Sequence, residues 1–231
     1  MNEIVPILLA TAGGILPALA WLWFWLKEDK KHPEPRHLIA LAFFVGMLTV
    51  ALAIPAQKFA KLFITGTTTL FIAWSFIEEI LKYSMARSTI LWRRDVDEPL
   101  DMVIYMVVIA LGFAAVENTL FLLSPLAGND VFDTILTGNL RFIGATLLHV
   151  LSSAVVGLVL AFTYYKKPLA RNLYALAGVI LGALLHSGFN FLILNSPDRY
   201  LLRTFALVWI GVVVVLALLE IIKRVRRCRI G

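Results

Sequence analysis

Seven apolar stretches of about 20 residues each, joined by short polar connections, constrain this chain more than any other feature. A helix that crosses a bilayer needs roughly 20 mostly apolar residues. The stretches run over 4–26, 38–56, about 67–91, 101–124, 142–165, 172–195 and 200–222. The first carries no charge, and its Ala18-Leu19-Ala20 looks like a signal-peptidase box. However, Met1-Asn2-Glu3 ahead of it lacks Lys and Arg, so we read a retained span. Composition agrees: 60% of the 231 residues are apolar and 16% charged, against about 45–50% and 25% in soluble domains. Mean hydropathy is +0.86. A soluble domain, a disordered chain and a nucleic-acid-binding module are excluded. The expected fold class is all-α: a polytopic transmembrane helical bundle of about seven (six to eight) spans. We expect one transmembrane domain over 1–231 with a basic cytoplasmic tail over 223–231.

Loop charge sets the expected orientation. Of 21 Lys and Arg, 15 fall in the connections after spans one, three and five and in the tail, and 5 on the opposite side. Lys82 lies inside span three. Basic residues collect in cytoplasmic loops, which puts the N-terminus outside and the C-terminus in the cytoplasm of a prokaryotic cell membrane. Trp21, Trp23, Trp25, Trp92, Tyr164 and Tyr165 then fall near the inner interface as an aromatic belt. Cys228 is the sole cysteine, so no internal disulfide and no cysteine metal site can form.

The informative residues are polar ones within the spans. Span three carries Ser75, Glu78, Glu79 and Lys82; span four carries Glu117 and Asn118. Span five carries His149, Ser152 and Ser153; span six carries His186 and Asn190. A charge at a helix centre costs about 2.5–3.5 kcal/mol, so three carboxylates and a lysine facing lipid as ions would cost on the order of 10 kcal/mol. They must face each other or a wet cavity, or be neutral. Counted from the charged inner ends of their spans, Glu78, Glu117, His149 and His186 lie at similar depths, roughly 22–25 Å at about 1.5 Å per residue. That common layer predicts a single shared site.

Spacing within the spans supports the same site. Glu78 and Lys82 are i,i+4 with Glu79 about 100° round, so Lys82 can neutralise one of the two carboxylates. Gly178, Gly182, His186 and Asn190 step by four, as do His149, Ser153 and Gly157, which is the small-residue pattern of close helix packing in membranes. Ala110, Phe113 and Ala114 line the approach to Glu117. Taken singly, these residues also have structural readings. His149 can be an interhelical hydrogen bonder, Glu78–Lys82 an ion pair, and Asn118 and Asn190 packing contacts. Ser152 and Ser153 are expected to bond back to their own helix, and His32 and His37 to be solvated. Asp101, near a helix N-terminus, is expected to be structural.

Carboxylates and imidazoles together point to activation of water, with one carboxylate as general base and a His or Asn donating to the developing oxyanion. The set Glu78, Glu117, His149 and His186 also suits a divalent metal such as zinc, which would acidify its water. The H-E-x-x-H helix motif is absent. No cofactor is favoured on the residues alone. A proton-coupled transporter or a non-catalytic membrane binding protein is the competing class.

Four strings in this order resemble the PrsW family of membrane proteases, within the superfamily of CAAX prenyl proteases and bacteriocin-processing proteins. They are Glu78-Glu79-Ile80-Leu81-Lys82, Phe113-Ala114-Ala115-Val116-Glu117-Asn118, His149, and His186-Ser187-Gly188-Phe189-Asn190. Asp101 and Tyr105 resemble a D-x-x-x-Y segment that the family places earlier, although Met102 and Met106 stand where its members usually have glycines. The resemblance covers about Ser75 to Phe191, and the expected catalytic core is about 67–195. It implies an intramembrane endopeptidase acting on membrane-anchored proteins of the anti-sigma-factor kind. The wider superfamily implies a glutamate-type mechanism, although a metallo-type is also used to classify the group. Carried over, Glu78 with Glu79 beside it would activate water, and His186 with Asn190 would supply oxyanion donors. Glu117 would help hold the water, relayed to His149. Lys82, Phe113 and Asn118 would support the site. The implied partners are a membrane-anchored protein substrate and the lipid bilayer, with no nucleic acid.

The orientation is checked by cysteine labelling. In intact cells an impermeant maleimide is expected to label Asn2→Cys, whereas native Cys228 should react only after lysis. The reverse pattern would overturn the topology.

Overall fold

A chain immersed in hydrocarbon must pair every backbone N–H and C=O internally, and continuous helices do this within each segment. The computed structural model describes residues 4–29, 32–127, 144–195 and 201–227. Within them lie seven α-helices: α1 (Ile4–Leu26), α2 (Arg36–Lys61), α3 (Thr67–Thr89), α4 (Pro99–Ala127), α5 (Thr146–Phe162), α6 (Pro168–Asn195) and α7 (Leu201–Arg227). A 3-10 turn, Lys27–Asp29, follows α1. The expected α1 boundaries are met at both ends. Expectations resting on Lys30, Lys31, Arg141, Phe142, Arg199, Tyr200, Cys228 and Arg229 lie outside the described residues.

The result is a helical membrane bundle, as composition required. Five helices (α1, α2, α4, α6 and α7) are long and apolar enough to cross a bilayer by themselves. The other two fall short for different reasons, α3 through its charges and α5 through its length. α3 carries Glu78, Glu79, Lys82 and Arg87 within 23 residues, and α5 is 17 residues long. Neither suits lipid on all sides, so both depend on protein neighbours.

α4 occupies the centre. Of its apolar window, 94% is buried within the protein, against 17% for α1. It packs on α1, α2 and α5, while α3 lies between α2 and α6, and α6 closes back on α5. α4 starts at Pro99, a residue suited to the first helical position. Just before it, the Asp101 carboxylate accepts the backbone N–H groups of Asp97 and Glu98 at 2.9 and 2.8 Å. The Tyr105 hydroxyl donates to the Glu34 carboxylate, tying the start of α4 to the segment before α2. Asp101 thus has the structural role expected of it.

Close helix crossings rest on glycine. A Cβ on Gly112 would run into the backbone of Phe43 on α2, and one on Gly46 into the backbone of Ile109 on α4. Gly157 lets α5 approach Met102 and Val103 on α4, with Val103 Cα 2.6 Å from where its Cβ would stand. Gly182 on α6 meets the Ser152 carbonyl at 2.7 Å in the same sense. Met102 and Met106 are buried in this core, so the methionines of the D-x-x-x-Y segment fill space that glycines would leave open. At the basic end of α7, Lys223 reaches Glu28 at 2.8 Å and Glu220 at 2.7 Å, which ties the first residue of the basic tail to the 3-10 turn.

These crossings give a stability test. Gly112→Ala must separate α4 from α2 and is expected to cost about 1–3 kcal/mol, the usual penalty for overpacking. Gly188, whose Cβ would meet nothing within 4 Å, should tolerate Ala without loss. Thermal unfolding of the two variants in detergent compares them directly. Equal behaviour would rule out the glycine crossing as the constraint.

Candidate active site

The polar residues of four helices meet in one cluster, and α3 supplies its centre. Consecutive residues on a helix point about 100° apart, so Glu78 and Glu79 project to different neighbours. Glu79 faces α5 and α6. Lys82 Nζ donates to its Oε1 at 2.7 Å, and both side chains have no exposed surface. The Ser152 hydroxyl donates to Oε1 at 2.8 Å and the Ser153 hydroxyl to Oε2 at 3.0 Å. His186 Nδ1 lies 3.1 Å from Oε1. Four side chains thus saturate this carboxylate.

Glu78 is held differently. Gln57 on α2 donates to its Oε1 at 2.7 Å, and Gln57 itself accepts the Trp74 indole N–H on its backbone carbonyl at 3.2 Å. Glu78 Oε2 is buried with no hydrogen-bond partner. It faces His149 Nδ1 at 3.9 Å and His186 Nε2 at 3.8 Å. Buried carboxylate oxygens are nearly always satisfied, so this oxygen is the exception within the cluster.

The network fixes the two imidazoles. An ammonium group only donates, so Lys82 Nζ, 3.0 Å from His149 Nδ1, makes that nitrogen the acceptor. The His149 proton then sits on Nε2 and is donated to Glu117 Oε2 at 2.8 Å. By the same logic His186 donates from Nδ1 to Glu79, which leaves the Nε2 lone pair toward Glu78. The two rings meet edge to face with centroids 4.9 Å apart. Phe113 covers the cluster from α4, its ring 4.5 Å from Lys82 Nζ and 5.3 Å from the His149 ring. Glu117 is the most open member, with its side chain 20% exposed.

The ionisable site residues singled out in the sequence therefore meet: Glu78, Glu79, Lys82, Glu117, His149 and His186, with Phe113, Ser152 and Ser153 packed on them. Two others lie apart. Asn190 donates to the Ser75 hydroxyl at 3.1 Å, and Asn118 donates to Thr146 at 2.8 Å, linking α4 to α5. Lys82 neutralises Glu79 at i,i+3, not Glu78 at i,i+4. Ser152 does bond back to the His149 carbonyl at 3.1 Å, but it and Ser153 also reach Glu79, against the expectation of purely local bonds. Gln57 was not anticipated. Its one sequence signal is an amide immediately after span two, on the side toward span three.

The donor set suits a metal as well as a water. Glu78, His149 and His186 each offer a ligand atom, all within 4.8 Å of one another. Each imidazole has its remote nitrogen held by a carboxylate, Glu79 for His186 and Glu117 for His149, the arrangement that orients histidine ligands in metal sites. Two His and one Glu form a known catalytic zinc set. Lys82 competes with any ion for the lone pair of His149 Nδ1.

With this geometry in place, the family comparison decides the class. A model described as "PrsW family intramembrane metalloprotease" matches residues 34–219, a range that holds every residue of the cluster. The chain belongs to the PrsW family. It is similar to Protease PrsW of Bacillus subtilis (strain 168), 25% identical over 86% of this chain and 89% of that protein. It is likewise similar to Protease PrsW of Oceanobacillus iheyensis, 29% identical over 86% and 90%, and of Clostridioides difficile (strain 630), 25% identical over 78% and 77%. No solved structure matches the chain. The protein is an integral membrane protein and an intramembrane protease.

The ion pair at the centre gives a second stability test. Lys82→Met strands Glu79 as a buried charge and is expected to cost about 3–5 kcal/mol. Adding Glu79→Gln should recover most of that loss. A double-mutant cycle read by thermal unfolding measures the coupling, and additive losses would mean that the pair does not hold α3 in place.

Proposed function

We propose that this PrsW-family protein hydrolyses peptide bonds in membrane-anchored proteins of the anti-sigma-factor kind, with Glu78 activating the water. The observation that supports this reading is the unpartnered, buried Oε2 of Glu78, turned toward the His149 and His186 nitrogens. A water in that gap meets two acceptors, Glu78 Oε2 and His186 Nε2. Glu78 takes its proton as it attacks the scissile carbonyl. Proton transfer by a positioned side chain of this sort contributes typically 10²–10⁴-fold. Glu79 has another task. Saturated by Lys82, Ser152, Ser153 and His186, it orients His186 and cannot itself reach a water. Glu117 orients His149 in the same way, and its partial exposure gives the cluster its contact with solvent. Lys82 supplies the local positive charge that favours a developing oxyanion. Asn190 acts through Ser75 at the margin of the site. The loop charges support a site in the outer half of the membrane.

A specific observation favours a second form of the same chemistry. The carboxylate behind each imidazole suits Glu78, His149 and His186 to hold a divalent ion such as zinc. When bound, zinc lowers the pKa of its water toward neutrality. In that form Lys82 must leave His149 Nδ1, and Glu117 and Glu79 keep the two rings aimed.

Co-expression with single-pass substrates tests the assignment. Glu78→Gln preserves shape and the Gln57 contact, and is expected to lower cleavage at least 10²-fold with normal membrane insertion. Cleavage equal to wild type would remove Glu78 from the chemistry. Purified protein treated with a chelator separates the two forms. Retained cleavage supports the glutamate form, whereas loss restored by added zinc supports the metal form.

A further inference from the structure

A second polar site lies on α3, away from the catalytic cluster. An open pocket of about 560 Å³ is lined by Ser84, Arg87, Ser88, Thr89, Trp92 and Arg93. Arg87 is nine residues beyond Glu78, about 14 Å along the helix. The pocket therefore sits where α3 leaves the membrane.

Its chemistry is cationic and uncompensated. The Trp92 ring is approached by two guanidinium groups, Arg171 at 3.8 Å from α6 and Arg87 at 5.4 Å. Arg87 otherwise bonds the Tyr83 hydroxyl at 3.3 Å, and Arg93 bonds the Thr89 carbonyl at 2.7 Å. Among the described residues no ion pair involves Arg87, Arg93 or Arg171. Moreover, Arg171 Nε is buried without a hydrogen-bond partner. Arginines held this close to one another, without a carboxylate, favour a bound anion, and the planar guanidinium suits phosphate. Ser84 and Ser88, both exposed, add hydroxyl donors at the rim.

The surroundings choose the source of the phosphate. On the Arg171 face of α6 Tyr174 is 44% exposed, while Leu169 and Leu173, turned away from Arg171, are 74% and 63% exposed, so this end of α6 is ringed by apolar surface that acyl chains cover in a membrane. Trp92 and Tyr165 lie at the same end of the bundle, and such amphipathic rings sit at headgroup level. The geometry points to an anionic phospholipid bound here, its phosphodiester among Arg87, Arg93 and Arg171 beside Trp92. A basic pocket between transmembrane helices at headgroup depth is the setting in which such lipids are recognised.

The test uses the full-length protein in phosphatidylcholine nanodiscs with and without phosphatidylglycerol. Native mass spectrometry reads the retained lipid, and Tm reads the lipid-dependent stabilisation. Wild type is expected to retain phosphatidylglycerol and to gain Tm from it. Arg87→Gln and Arg171→Gln should each weaken retention about fivefold. Ser88→Glu, at an exposed position that leaves the arginines intact, should also weaken it by placing a negative charge in the pocket. Lys58→Gln with Lys61→Gln, at the opposite end of α3 beside its first turn, should leave retention unchanged. Retention by Ser88→Glu at the wild-type level would overturn the assignment, as would equal loss from the Lys58/Lys61 variant. Inorganic phosphate alone giving the full Tm gain would make this a soluble-anion site instead, and displacement of the lipid by an acidic peptide would make it a protein-docking site. Either result also overturns the proposal.

Discussion

Lys82 is the interaction on which the rest of the site depends. A single cation buried among helices must have its donors occupied, because hydrocarbon offers no acceptor and the protein interior screens little. It donates in two directions, to Glu79 on its own helix and to His149 on α5. The first contact makes α3 tolerable inside the bundle, and the second fixes which His149 nitrogen carries the proton. From there the order propagates. Glu117 accepts the His149 Nε2–H hydrogen bond, and Glu79 accepts that of His186 Nδ1–H. Glu78, the adjacent carboxylate that Lys82 leaves alone, keeps an oxygen open. The two adjacent glutamates thus have different physical situations although they differ by one residue in sequence. One is saturated and orients the site; the other is underfilled and faces the gap.

Much of this was legible in the residues. Helix existence followed from uninterrupted apolar length, and the charge-free segment over 4–26 gave its helix to the residue. Shared depth brought Glu78, Glu117, His149 and His186 together because the rise per residue is nearly constant. Rotation about the helix axis was not legible. Lys82 can reach a partner at either i−3 or i−4, and only the tertiary packing of α3 against α5 selects Glu79. The reach of Ser152 and Ser153 to Glu79 depends on how deeply α5 settles beside α6, which Gly182 controls through its contact with the Ser152 carbonyl. Gln57 comes from a helix whose sequence is otherwise a plain apolar span with a basic end. The central place of α4 was not legible, because apart from Asp101, Glu117 and Asn118 its sequence is that of a helix that can equally face lipid, as the 17%-buried α1 does.

Family membership and geometry support one another at different levels. The match over 34–219 gives the class of enzyme, and the coordinates show how a chain of this class handles ions in the membrane. A glutamate centre and a metal centre place similar demands on the second layer of residues. Both need imidazoles aimed by carboxylates, and both need one carboxylate oxygen free.

The polarity of α3 also has a consequence for how the chain is made. Glu79 and Lys82 can pair as soon as their helix exists, but Ser152, Ser153 and His186 lie 73, 74 and 107 residues downstream of Glu79. At about 5–20 residues per second, the last of these emerges roughly 5–20 s later. During that interval α3 cannot be released into lipid as a free segment at tolerable cost. α3 therefore enters the bundle with only α2 beside it and gains its full set of polar partners when two later helices arrive.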